Sequence, residues 1–334
     1  MNLAKFPRRR YTFGPTPLER APRFSAALDG PEIYIKRDDL LGLAAGGNKT
    51  RKLEFLVAEA LSKGADTLIT CGAIQSNHCR LTLAAAAKEG LHCGLVLEER
   101  VPGTYHPEAS GNNFLYRLLG AEQIRVVPSG TDLQTEMEKM AGELSSKGRR
   151  AYLIPVGGSN PVGATGYVAC AEEIMNQLFD QGLNIDYVVS ASGSTGTQAG
   201  LVVGFYGCNT NIPVLGINVS RSKALQEELV YSLIQDTAKH IGVNQEIPRK
   251  AVTCFDEYVG PGYSLPTAAM AEAVRLLART EAILLDPVYS GKAMAGLVDL
   301  VRKGFFPKES KVLFVHTGGS PALYVYEQAV LAES

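Results

Sequence analysis

The stretch GGNKTRKLEFL, Gly46 to Leu56, sets a lysine directly after two glycines and an asparagine, at the start of a helical pattern. A lysine pressed against backbone in a confined site loses its proton more readily and can attack a carbonyl carbon to form a Schiff base. Gly46 and Gly47 would let a flat aldehyde approach the main chain, which makes Lys49 the candidate nucleophile. The competing reading is that Lys49, Arg51 and Lys52 form a solvated basic helix start. Cations at a helix N-terminus run against the helix dipole, so something must compensate them.

A second stretch, SGSTGTQAG from Ser192 to Gly200, lies between an apolar strand-like run and a helical one. Backbone amides at such a junction, with the helix N-terminus behind them, hold anions, and hydroxyls add donors. A phosphate is the natural guest. The loop lacks the G-x-x-x-x-G-K-[ST] pattern of a P-loop, and residues 201–226 contain no Asp or Glu to take a ribose hydroxyl, so nucleotide readings are disfavoured. A tight turn that needs glycine only for its geometry is the plain alternative. Lys49 and this loop are expected to hold the aldehyde and phosphate ends of one cofactor, which requires that Lys49 and Thr195 lie within about two helix turns, on the order of 11 Å.

The elements that must position these groups alternate. Short β-rich runs (EIYIKRDD, DTLITCG, HCGLVLEE, QIRVVPS, AYLIPVGG, DYVVSAS, VLGINVS, AILLDPVY, KVLFVHTGG) are separated by helical patterns. This alternation predicts βαβ units, hence an α/β protein with parallel sheets covered on both faces. Ligands collect at the carboxyl ends of strands in such sheets. Four loops at such ends, GAIQSNH, GGSNPVG, ASGSTGTQAG and HTGGSPA, are polar and glycine-rich and are expected to converge on one cleft.

The 334 residues, 46% hydrophobic and 20% charged, can bury a large core, and the length suggests about two domains. A net charge of −1 with dispersed basic residues argues against a nucleic-acid partner. No apolar run reaches the roughly 20 residues needed to span a bilayer, and the N-terminal segment lacks the apolar stretch of a secretory signal, so a cytoplasmic protein without a membrane partner is expected. The six cysteines and five histidines show no metal-ligand spacing, and no metal is expected; the cysteines are expected to be reduced.

In this order and at this spacing, GGNKTRKLEFL, GAIQSNH, SGSTGTQAG, LLDPVYSGK and HTGG resemble the family of pyridoxal phosphate enzymes that contains 1-aminocyclopropane-1-carboxylate deaminase and D-cysteine desulfhydrase. The resemblance covers nearly the whole chain. It implies pyridoxal 5′-phosphate as cofactor, a homodimer, and the two-domain fold type II of the tryptophan synthase β-subunit. The larger domain would comprise residues 1–49 and 161–334, with a smaller α/β domain of residues 50–160 inserted and the cofactor between them. It further implies that Lys49 is the Schiff-base lysine, that Asn77 bonds the ring hydroxyl, and that Ser194, Thr195, Gly196 and Thr197 hold the phosphate. Ser76 with neighbouring amides would receive the carboxylate of an amino-acid substrate. Tyr289 and Tyr263 would face that substrate, with His78 as a further contact or, together with Arg80, a support for the QSN loop.

The deaminases of this family place a glutamate after the tyrosine of DPVY and a leucine before the last GG. This chain has Ser290 and Thr317 there. A carboxylate keeps the pyridine nitrogen protonated and the ring a strong electron sink, which hydroxyls do not. The departure favours elimination of a sulfur leaving group from Cβ over opening of a cyclopropane ring. D-cysteine, releasing hydrogen sulfide, is the leading substrate, with L-cysteate, releasing sulfite, as the alternative and the deaminase reaction behind both.

Overall fold

The side chains of Ser76, Asp132, Asn160 and Thr267 each accept a backbone amide hydrogen bond two or three residues ahead, and each starts a helix. Gly90 and Gly242, both left-handed, end two others. Between such stops the computed structural model, which describes residues 1–332, runs β1 (Leu18–Arg20), α1 (Pro22–Leu28), β2 (Glu32–Lys36), α2 (Lys49–Ser62), β3 (Thr67–Ala73), α3 (Asn77–Glu89) and β4 (His92–Glu99). It continues through α4 (Asn112–Leu118), β5 (Gln123–Pro128), α5 (Leu133–Ser145), β6 (Ala151–Ile154), α6 (Pro161–Asp180), β7 (Tyr187–Ser192), α7 (Gly196–Gly207) and β8 (Val214–Asn218). The chain closes with α8 (Lys223–Ile241), β9 (Val252–Phe255), α9 (Ala268–Glu281), α10 (Ser290–Arg302), β10 (Lys311–Val315), α11 (Ser320–Leu323) and α12 (Glu327–Leu331).

The strands form two sheets. One is six-stranded in the order β1-β2-β10-β7-β8-β9; the other is four-stranded in the order β5-β4-β3-β6. Every pairing is parallel except that of β1 with β2. All seven residues of β3 and five of six in β7 are buried, as expected for parallel strands covered by helices on both faces. The α/β class and the parallel, helix-flanked sheets of fold type II are thus as the sequence indicates.

Helix α2 packs on α6, and α6 on α7, so the helix that begins at Lys49 belongs to the seam between the sheets. Glycine permits the approach: a Cβ on Gly166 would lie 2.2 Å from the Arg51 carbonyl oxygen. Among the described residues no helix is long and apolar enough to cross a membrane, no group of three or more His, Cys, Asp or Glu could hold a metal ion, and all six cysteines are free.

The run AILLDPVY departs from its strand-like reading. Ala282 takes a left-handed φ of 57° as the C-cap of α9, Pro287 has no amide proton, and the Asp286 carboxylate accepts the amides of Val288, Tyr289 and Ser290. The segment is therefore a capped entry into α10, with Ile283 and Leu285 buried for packing alone. The sequence reading also passed over β1, α1 and β9.

Candidate active site

The loops after β3, β6, β7 and β10 open onto one cavity of about 710 Å³, its mouth included. Lys49, Ser76, Asn77, His78, Ser194, Thr195, Thr197, Tyr263, Tyr289 and Thr317 all line it. Gly196 and Ser290 do not, and among the described residues no aspartate or glutamate does.

One end of the cavity is built around two lysines. Lys49 Nζ lies 3.3 Å from the hydroxyl of Ser194, the residue before Thr195 in the anion loop. Ser194 Oγ bonds Ser159 Oγ at 3.0 Å, and Ser159 Oγ meets Lys52 Nζ at 3.1 Å. Lys52 also donates to the Gly157 carbonyl at 3.0 Å. Burial lowers the Lys49 pKa to about 8, and burial plus the Lys49 charge carries Lys52 well below its ordinary range. These lysines meet only neutral oxygens. Ahead of them α7 presents its N-terminus, where the Thr195 side chain makes no cap and Ser159 Oγ accepts the Gly196 amide at 3.2 Å; the helix is reached through Thr195, a non-glycine residue at φ 73°. A Cβ on Gly196 would lie 2.8 Å from Lys52 Nζ, so Gly196 leaves Lys52 room beside this helix end.

The opposite wall comes from the QSN loop. Ser76 caps α3 by accepting the Cys79 amide at 3.2 Å, which leaves its hydroxyl proton to donate toward the cavity. The Asn77 carbonyl oxygen takes Arg80 Nη1 at 2.5 Å and Asn112 Nδ2 at 3.2 Å, so its amide nitrogen is the end available to a ligand. Arg80 also holds the Gly46 carbonyl and the Asn112 side chain, and so supports the loop from behind. His78 Nε2 pairs with Thr70 Oγ1 at 2.8 Å while Nδ1 has no partner; burial and then the two lysine charges push its pKa well down, so the imidazole is neutral.

Tyr263 and Tyr289 share a hydroxyl-hydroxyl hydrogen bond of 2.6 Å, their rings meeting edge to face. Burial raises both phenols, Tyr263 well above the ordinary range, so both stay protonated. The Arg100 guanidinium lies 4.1 Å over the Tyr263 ring.

Two expectations are corrected here. Ser290 is fully buried behind the cavity, its hydroxyl donating to Asp286 Oδ1 at 2.7 Å and accepting the Asp286 amide at 2.8 Å, so it cannot serve a ligand. Thr317 alone of the pair lines the cavity. Nor do Gly46 and Gly47 make room for a cofactor. A Cβ on Gly46 would fall 1.6 Å from the Asp39 carbonyl oxygen, and Gly47 abuts Gly318. Together with the bond from the Asn48 amide to the Thr317 carbonyl at 3.0 Å, the glycines let the HTGG loop dock on the start of α2.

A family model described as pyridoxal-phosphate dependent enzyme matches residues 10–318. The chain belongs to this family. It is similar to the crystal structure of an ACC deaminase homologue, at 40% identity over 98% of this chain and 97% of that one, with a TM-score of 0.89. O-ureido-L-serine synthase shares the fold: its structure matches at 18% identity and TM-score 0.68, covering 97% of this chain and 95% of that one. A variant of the same synthase with O-ureido-L-serine bound matches at 20% identity and TM-score 0.67, over 97% and 94%.

This pyridoxal phosphate enzyme has residues that fit its cofactor. Burial lowers the pKa of one amine, that of Lys49, to about 8, and the N-terminus of α7 with Lys52 and the Ser159 hydroxyl beside it suits a phosphate dianion. The sequence reading missed Ser159, which links the lysines, and it treated Lys52 only as part of a basic surface. It also missed Arg100. The signal for Arg100 was its place just past the end of β4, where the strand-end rule applies even without glycines.

Proposed function

We propose that the protein is a carbon-sulfur lyase that eliminates a sulfur group from Cβ of a cysteine-type amino acid, giving pyruvate and ammonia. The observation that carries this reading is a cavity lined by Lys49 and hydroxyl groups but by no carboxylate. When bound, pyridoxal phosphate withdraws electron density from Cα of an attached amino acid, allowing a Cα proton to leave and a Cβ group to be expelled. With Thr317 and, among the described residues, no acid lining the cavity, that withdrawal would be modest, which suits a substrate carrying a good leaving group.

In this proposal Lys49 would hold the cofactor's carbonyl carbon, Asn77 would bond the ring through its amide nitrogen, and residues 194–197 with Lys52 would hold the phosphate. Ser76 and the N-terminal amides of α3 grip the substrate carboxylate, where the helix end favours an anion. The Lys49 amine, its pKa lowered by burial to about 8, would be the group that takes the Cα proton. Tyr289 is a poor base by comparison, because burial holds its proton on. Tyr263 and Tyr289 wall the reacting carbons off from water.

Two substrates fit this class, D-cysteine with release of sulfide and L-cysteate with release of sulfite, and Arg100 in the cavity lining favours the second. The division into residues 1–49 with 161–334 and an inserted 50–160, the cytoplasmic location and the homodimer belong to the same proposal. Each chain part holds one of the two sheets, which supports the division. The test is an assay of the cofactor-loaded enzyme on both enantiomers of cysteine and cysteate and on 1-aminocyclopropane-1-carboxylate. Pyruvate with equimolar sulfide or sulfite is expected; faster formation of 2-oxobutanoate from the cyclopropane substrate would overturn the proposal.

A further inference from the structure

Arg100 is the one charged side chain besides Lys49 among the described residues that line the cavity. Its Nε donates to Glu98 Oε2 at 2.7 Å, and its guanidinium is stacked on Tyr263, which is itself tied to Tyr289. Among the described residues its two terminal nitrogens form no hydrogen bond. A guanidinium held in place by a carboxylate on one edge and a ring on its face, with both terminal nitrogens left over, is preorganised for a planar pair of anionic oxygens.

Sheet topology says which anion. In the four-stranded sheet β3 stands between β4 and β6. The β6 loop carries Gly157 and Ser159, which hold Lys52 at the anion end of α7. Arg100 follows β4, in register beside the end of β3, where Ala73 pairs with Glu98. The loop bearing Ser76 therefore separates Arg100 from the phosphate end by two strand spacings, on the order of 10 Å. Arg100 serves the substrate side of the cavity. A second cation stands near: Arg221 donates to the Gly193 carbonyl at 2.5 Å and to Gln226 at 3.1 Å, and burial followed by the Arg100 charge lowers its pKa.

We infer that Arg100 is a specificity residue that selects amino acids carrying a second anion on Cβ, a sulfonate above all. This inference rests on the elimination proposed above and names its substrate class. A thiol offers one weak acceptor to the fork, whereas a sulfonate offers three charged oxygens. The reaction balances without an oxidant: the Cα–H and Cβ–S bonds break, Cα=Cβ forms, and the Cβ–S electron pair leaves on sulfite. With one water the cysteate anion yields pyruvate, ammonium and hydrogen sulfite.

The test uses the cofactor-loaded enzyme and its Arg100→Met and Arg100→Lys variants, assayed on cysteate and cysteine, with calorimetric binding of 3-sulfopropanoate, a dianion that lacks the amine. Arg100→Met is expected to lower kcat/KM for cysteate about 30-fold more than for cysteine, mainly through KM, and to weaken 3-sulfopropanoate by a similar factor, with Arg100→Lys recovering part of both. Equal losses on the two substrates, or unchanged 3-sulfopropanoate binding, would overturn the inference and leave Arg100 a clamp on Tyr263. If the parent enzyme desulfurates neither substrate, the elimination reading falls, while 3-sulfopropanoate binding still decides the role of Arg100.

Discussion

The first turn of α2 carries three buried or cavity-facing cations that meet opposite surroundings. Arg51 donates to both oxygens of Asp38 at 2.8 Å and to both oxygens of Glu173 at 2.9 Å, in a cluster completed by Lys36, Thr16 and Tyr167. Lys49 and Lys52 touch only hydroxyls and a carbonyl. The carboxylates hold the Arg51 proton tightly against burial, whereas burial unopposed loosens the protons of both lysines. A compensated buried cation builds the fold. An uncompensated one marks a site that is completed by an anionic or electrophilic guest.

This contrast can be broken from either side. Lys49→Ala is expected to abolish the cofactor absorption band and to cut turnover by a factor on the order of 10⁴ or more, while the unfolding midpoint of the cofactor-free protein stays in place. Unfolding the variant in denaturant while following its spectrum checks both halves. Arg51→Met should behave in the reverse manner. It strands Asp38 and Glu173 and should cost about 3–5 kcal/mol of stability, read from denaturant midpoints, with activity lost only as folded protein is lost.

A smaller effect is expected at Lys52. Lys52→Gln removes the cation beside the anion end of α7 and should weaken cofactor binding about 10-fold, or about 1.4 kcal/mol, without destabilising the cofactor-free protein. Titration of pyridoxal phosphate into the stripped variant measures this, and a loss of stability as large as that of Arg51→Met would erase the distinction between the two surroundings. The smallest test is a pH profile. Because only the neutral amine attacks a carbonyl, the rate of cofactor uptake by stripped enzyme should rise with pH and level off above about 8, where Lys49 has lost its proton. A rise centred instead at the ordinary lysine value would mean that Lys49 is not desolvated.

How much of this was legible in the sequence follows from range. The alternation of apolar runs and helical patterns is local, so nearly all strands and helices could be read directly. AILLDPVY misled because its apolar residues pack without pairing, and only the bonds from Asp286 to the next helix reveal the turn. The four site loops were legible from their glycines and hydroxyls at strand ends. The fate of Arg51 was not, since its carboxylate partners lie 13 and 122 residues away. Ser290 looked like a ligand group because it stands where the deaminases of the family carry a glutamate, yet the helix start turns its hydroxyl back onto Asp286. Arg100 escaped because nothing in LVLEER suggests a ligand until the end of β4 is seen beside the end of β3.

The central claim is that Lys49, and not its neighbour Lys52, forms the bond to the cofactor. Borohydride reduction of the cofactor-loaded enzyme makes that bond permanent, and digestion followed by mass spectrometry locates the modified lysine. The account predicts a single reduced pyridoxyl group on Lys49 with Lys52 unmodified; the group on Lys52, or on any lysine outside the cavity, would contradict it.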